Sequence, residues 1–190
     1  MEALKQKIIR EGQTVGTGIV KVDGFLNHQI DVKFMNEIGR EFRRRFSDIE
    51  VDKILTVEAS GIGIACMTAP YFDYPPVVFA KKTTPSTMTE EFFGAEAKSF
   101  TKGTVSIIRV ARKYLSKGDR VLILDDFLAH GEAAMAMTEL VKQAEAQVMG
   151  IGAVIEKGFQ GGGQKLRDAG FRLESLAVIE AINDGEITFA

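Results

Sequence analysis

Residues 121–133 read VLILDDFLAHGEA, and this run holds the side chains best suited to chemistry. Val121, Leu122, Ile123 and Leu124 form an apolar run of strand type. Asp125 and Asp126 stand at its carboxyl end. A turn of mostly small residues, Ala129-His130-Gly131-Glu132-Ala133, then opens a helix. Backbone N–H groups at a helix start converge on an anion, and the helix dipole favours negative charge there. Small residues let a phosphate come close to the backbone. Two carboxylates one loop away can accept hydrogen bonds from a pair of neighbouring hydroxyls, or hold a metal through water. The combination suits a ribose phosphate. The plainer alternative is an ordinary strand–turn–helix with a solvated aspartate pair.

Other candidate groups lie at the ends of further apolar runs. Glu58-Ala59-Ser60-Gly61 follows residues 54–57, ILTV. On its own this is a helix cap, with Ser60 or Glu58 serving the first turn. Lys81 and Lys82 follow VVFA, and a lysine pair at a strand end is common on any surface. Glu156-Lys157-Gly158-Phe159 follows Val154-Ile155, with a surface lysine and a core or stacking phenylalanine as the simple readings. Cys66, the one cysteine, sits among Ile64, Ala65 and Met67 and is expected to be a buried packing thiol. His28 and His130 lack zinc-ligand spacing, and His130 reads as a rim residue. Arg43, Arg44 and Arg45 are the one basic run and are expected to form a solvated helix face.

The elements that must position these groups alternate between strand and helix. A short helix is predicted over residues 1–10, ended by Gly12, then an extended segment at Val20 and Val22 and a polar turn at Asn27-His28-Gln29. Asp31 can cap a helix in which Phe34, Ile38, Phe42 and Phe46 recur every fourth residue, a core stripe. Strands are predicted at 54–57, 77–80, 105–108, 121–124, 148–155 and 173–182, with helices after 61, after 131 and at 164–169. Residues 81–103 are polar and threonine-rich, a loop long enough to be functional or mobile. This order predicts an α/β domain with a mostly parallel central sheet flanked by helices, and ligands at the carboxyl ends of its strands.

Composition narrows the classes. The chain has 190 residues, 45% hydrophobic and 26% charged, without repeats or linkers, as expected for a single domain. Net charge of −2 with dispersed lysine and arginine gives no nucleic-acid footprint. One cysteine excludes an internal disulfide. The charged start lacks a signal-peptide core, and no apolar run reaches the ~18 residues of a membrane span, so a cytoplasmic protein is expected.

The order of apolar strand, Asp-Asp, five-residue glycine-containing turn and helix resembles the phosphoribosyl diphosphate signature of the type I phosphoribosyltransferases. The resemblance implies that Asp125 and Asp126 contact the ribose hydroxyls and that residues 129–133 hold the 5-phosphate. It implies that residues 58–61 bind the diphosphate and that Lys81 and Lys82 reach it, often across a homodimer interface. The loop from 83 to about 100 then resembles the mobile hood that excludes water. Many members carry Thr or Ser near the end of the phosphate turn, where this chain has Ala133 and Ala134, so backbone amides must carry more of the binding. MEALKQKI, KVDGFLNHQID, VLILDDFLA and IGAVIEKGFQ resemble the short bacterial members that take oxopurines, nearly from end to end. That likeness implies xanthine as the preferred base, met by Val20, Asn27 and Lys157, with Val20 where Leu is familiar. Three ammonium donors on Lys157 suit a carbonyl at purine C6 rather than an amino group; the residue chemistry alone reaches only a 6-oxopurine. The implied chemistry is transfer of phosphoribose to the base with magnesium bound to the diphosphate and no organic cofactor. A guanine- or hypoxanthine-preferring relative is the enzymatic rival. A phosphoribosyl-diphosphate-sensing regulator is the other, though such proteins carry a basic helical segment that this sequence lacks.

Overall fold

The computed structural model describes residues 1–82, 91–99 and 104–190. Helix α1 (Glu2–Glu11) leads into the short antiparallel pair β1 (Gln13–Val15) and β2 (Ile19–Lys21). A single wide helical turn, Asp23–Asn27, follows, then α2 (Val32–Arg45). The Asp31 side chain accepts from the Phe34 amide and caps α2, as its residue type predicts. Strand β3 (Lys53–Val57), helix α3 (Ser60–Thr68) and strand β4 (Val77–Ala80) come next. Strands β5 (Phe92–Ser99) and β6 (Thr104–Ala111) pair antiparallel, and β7 (Arg120–Leu128) leads into α4 (Glu132–Gln143). The chain closes with β8 (Gln147–Lys157), α5 (Gly162–Asp168), β9 (Leu173–Asn183) and β10 (Glu186–Phe189).

Six strands form the central sheet in the order β10-β9-β8-β7-β3-β4. All neighbours are parallel except β10, which turns back on β9. Alternation along β7 explains why both faces are covered. Leu122 and Leu124 join a cluster with Leu4, Ile8, Ile38 and Phe42 from α1 and α2. Val121 and Ile123 join one with Met137 and Leu140 from α4 and Ile108 from β6. Successive strand side chains point to opposite faces, so an all-apolar strand requires two cores.

The glycines that interrupt β8 have a packing reason. A Cβ on Gly150 would lie 2.5 Å from Phe46 Cε1, and one on Gly152 2.6 Å from Phe42 Cε1. The rings of Phe42 in α2 and Phe46 at its C-cap therefore rest directly on the β8 backbone.

Several expectations need correction. The loop predicted to run to about 100 is in part a strand: residues 92–99 pair with β6, because Phe93, Ala95 and Ala97 alternate inward onto the α4 face. Residues 83–90 and 100–103, the rest of the expected hood, lie outside the described residues. β10 was not foreseen. Cys66 is exposed, because the buried side of α3 is taken by Ile64, Ala65 and Thr68. The arginine run is not uniformly solvated. Arg44 is outermost, but Arg45 is ion-paired to Glu41 and donates to the Ser175 carbonyl, and Arg43 lies over the Phe72 ring.

Candidate active site

Parallel strands bring their carboxyl ends to one edge of the sheet, and the sequence-predicted groups meet there. β3 ends at Val57 and delivers Glu58 through Gly61; β4 ends at Ala80 and delivers Lys81 and Lys82. β7 carries Asp125 and Asp126 near its end, and β8 ends on Lys157. The two aspartates lie inside the last hydrogen-bonded residues of β7 rather than beyond them, since β7 pairs with β8 as far as Leu128.

Asp125 is buried and Asp126 is partly exposed. Asp125 Oδ1 accepts from the Asp126 amide at 3.0 Å. Burial raises the Asp125 carboxyl well above its usual range, and the Asp126 carboxylate beside it adds to the rise; Lys82 opposes it. Asp126 Oδ2 faces outward to Asn27, whose Nδ2 lies 3.4 Å away. Asn27 comes from the wide turn after β2, so a residue far away in sequence closes one side of the site.

The Glu58-Ala59-Ser60-Gly61 segment approaches the same carboxylates. A Cβ on Gly61 would overlap Thr56 Oγ1 and lie 3.7 Å from Asp125 Oδ1. Only glycine permits this approach of α3 to the strands. The helix-cap alternative is not realised. No side chain caps α3, and Glu58 instead accepts from the Lys82 amide at 2.6 Å, tying the ends of β3 and β4 together. The Glu58–Ala59 peptide is cis. Lys81 is held by backbone pairing with Arg109, and its ammonium stands over Phe79.

The turn at Ala129, His130, Gly131, Glu132 and Ala133 begins α4, with Gly131 in the left-handed region at φ 78°. A non-glycine residue rarely adopts that conformation. His130 is partly buried, with Nδ1 3.2 Å from the Gln160 carbonyl.

On the other side, Lys157 Nζ donates to the Gly18 carbonyl at 2.8 Å and stands 5.5 Å from the centre of the Phe127 ring. Burial lowers its pKa from the usual lysine value. Lys157, Phe127, Asp126 and Asn27 thus border one region. Val20 is buried in the apolar cluster with Phe25 and Leu26; the backbone of nearby Gly18 is what meets Lys157. Phe159 is exposed.

Sequence reasoning missed Phe127 and Gly18. The place of Phe127, directly after the two aspartates on a strand, is a signal that it shares their edge. Gly18 acts through a carbonyl that every residue has, so no residue type could have marked it.

Electrostatically, the site pairs a buried acid and an outward acid with the amide groups of a helix start and three lysines at strand ends. In chemical terms that arrangement suits a polyhydroxylated, multiply anionic ligand, with a flat, carbonyl-bearing group beside Lys157 and Phe127.

Residues 27–174 match the model of the phosphoribosyl transferase domain. A xanthine phosphoribosyltransferase from Clostridioides difficile is 53% identical over 189 residues, covering 100% of both chains. Xanthine phosphoribosyltransferase 1 of Clostridium perfringens is 54% identical, again with 100% of both chains covered. Among solved structures, adenine phosphoribosyltransferase from Rhodothermus marinus is similar with a TM-score of 0.75 at 21% identity, covering 94% of this chain and 100% of that one. At that identity the likeness speaks for the fold. A strand-end aspartate pair, a glycine turn opening a helix, and a family match across most of the chain converge: this chain belongs to the phosphoribosyl transferase domain family.

Proposed function

We propose that this protein transfers the 5-phosphoribosyl group of phosphoribosyl diphosphate to an oxopurine, xanthine by preference, giving xanthosine 5′-phosphate and diphosphate. The observation that carries the reading is the gathering of Asp125, Asp126, the 129–133 turn and Lys157 at one sheet edge, in a chain about half identical over its whole length to proteins named xanthine phosphoribosyltransferases.

In this reading Asp125 and Asp126 accept from the two ribose hydroxyls, and the amides at 129–133 hold the 5-phosphate. Residues 58–61 face the diphosphate, with Lys81 and Lys82 neutralising its charge. Lys157 donates to the C6 carbonyl, Asn27 contacts the base edge, Phe127 lies against the ring, and Val20 shapes the pocket from the core side. The bond from C1 of the ribose to the diphosphate oxygen breaks first, leaving an oxocarbenium-like sugar. N9 of the base then bonds to C1 and sheds its proton. No nucleophilic side chain is needed, because positioning and charge stabilisation supply the acceleration.

The paired carboxylates are oxygen donors of the kind a hard divalent cation takes. Asp125 and Asp126 would hold magnesium through water, and the ion would supply charge neutralisation of the departing diphosphate. We place the protein in the cytoplasm as a homodimer. Val105 and Ile107, exposed on the outward face of the β5–β6 hairpin, support an interface there.

The test is product formation from phosphoribosyl diphosphate and magnesium with xanthine, guanine, hypoxanthine and adenine in separate reactions. Fastest turnover with xanthine is expected. Preference for guanine or hypoxanthine would keep the reaction and move the base; no turnover with any base would favour a ligand-sensing regulator.

A further inference from the structure

The 129–133 turn does not hold its shape alone. Residues 160–165, just beyond Lys157, lie against it at three points. The Gly162 amide donates to the Ala129 carbonyl at 3.0 Å. The Gln160 carbonyl lies 3.2 Å from His130 Nδ1, and Lys165 Nζ lies 2.7 Å from Glu132 Oε1.

The two backbones meet with no room for a side chain. A Cβ on Gly162 would lie 2.6 Å from the His130 carbonyl carbon and closer still to Ala129 O and Gly131 N. From the other side, a Cβ on Gly131 would lie 3.1 Å from Gly162 O. Every obstructing atom belongs to the backbone, so no side-chain rotation relieves the contact.

The segment is also fixed from behind. Buried Glu156 accepts from Ser175 Oγ at 2.5 Å and from both terminal nitrogens of Arg167, at 3.2 and 3.1 Å. A Cβ on Gly163 would overlap the Glu156 carboxylate. One continuous piece of chain, from the end of β8 through α5, therefore links Lys157 to the phosphate turn.

Resting on the phosphoribosyl-transfer reading above, we propose that residues 160–165 are a positioning element for the phosphate-binding turn, with Gly162 the residue on which the turn's shape depends. Gly162 itself touches no substrate. It fixes where the turn amides point. A methyl group at 162 pushes the turn while leaving Asn27, on the wide turn after β2, in place.

The experiment measures phosphoribosyl diphosphate affinity by calorimetry with magnesium, KM for each substrate, and Tm, in Gly162→Ala, Lys165→Met and the unaltered protein. Gly162→Ala is expected to weaken phosphoribosyl diphosphate binding by about tenfold or more, since small misplacements at a site are costly. KM for the base, at saturating phosphoribosyl diphosphate, should stay within about threefold under the same geometric argument. Lys165→Met should act in the same direction by about two- to fivefold, the scale of a partly exposed ion pair. A purely structural role would lower Tm without that selectivity. Equal losses for both substrates, or unchanged phosphoribosyl diphosphate affinity in the folded variants, would overturn the proposal. If Gly162→Ala does not fold, unchanged affinity in Lys165→Met alone overturns it. Failure of the unaltered protein to bind phosphoribosyl diphosphate would instead overturn the transfer reading; turnover by the unaltered protein with unselective variants overturns only the positioning role.

Discussion

Asp125 lies near the carboxyl end of β7 with a second carboxylate beside it, and the folded protein holds its proton more tightly than the unfolded chain does. The sign of the effect on stability follows. Below the ordinary value of 3.8 both states are protonated and nothing is lost; as pH rises past it, the unfolded chain ionises freely while the folded one resists. Stability contributed at this position therefore falls with rising pH, until the raised folded value is passed. Asp125→Asn, neutral and similar in shape, should raise Tm at pH 7 by about 2 °C or more, with the gap closing toward pH 3. Thermal melts across that range check it. The double variant Asp125→Asn plus Asp126→Asn should lose about tenfold or more in activity, since both hydroxyl acceptors weaken together; full activity would refute the ribose assignment. Lys157 poses the converse question, a partly buried ammonium with a carbonyl partner in the free protein. Lys157→Met should raise KM for xanthine about 30-fold, the cost of roughly 2 kcal/mol for a lost polar partner in a closed site, with KM for phosphoribosyl diphosphate little changed.

Elements carry the next level of constraint. β8 is apolar from Val148 to Ile155 yet contains Gly150 and Gly152 where propensity favours branched residues. The rings of Phe46 and Phe42 explain both positions. Gly152→Ala should destabilise the protein by about 1–3 kcal/mol, the range for overpacking a tight interior. Urea unfolding monitored by far-UV circular dichroism measures it, and a loss below the range would mean that α2 shifts to accommodate the methyl. The beginning of α3 obeys the same rule of close approach at Gly61, where a helix start is pressed onto Thr56 in preference to gaining a side-chain cap. Glu58, freed from capping, fastens the neighbouring strand end through the Lys82 amide.

At the scale of the whole molecule, the site is assembled from the turn after β2 and from the ends of β3, β4, β7 and β8, so a ligand that spans it binds only the folded chain. Phosphoribosyl diphosphate with magnesium at 100 times its Kd should add about 2.7 kcal/mol. For a chain of this size that is a Tm rise of about 5–10 °C. A thermal-shift titration checks this, and the double aspartate variant should show little of the rise. Among the described residues no helix is long and apolar enough to cross a membrane.

The sequence alone determined the order of most strands and helices, β5 and β10 excepted, because all-apolar strands, the four-residue stripe of α2 and the Asp31 cap are local patterns with few alternatives. It also marked the aspartate pair and the glycine turn that opens α4, since a strand end, two acids and a glycine follow one another within 13 residues of chain. Tertiary structure decided the rest. Residues 92–99 read as loop because the alternation of Phe93, Ala95 and Ala97 lies in a polar stretch of sequence and becomes meaningful only against the α4 face. The packed faces of α3 assigned Cys66 to the outside, although its sequence neighbours are apolar. The partnership of Lys157 with Gly18, and the backbone contact of Gly162 with the phosphate turn, involve groups every residue carries. Main-chain carbonyls and amides leave no mark in a sequence, so their roles become visible only when folding brings distant segments within hydrogen-bonding distance.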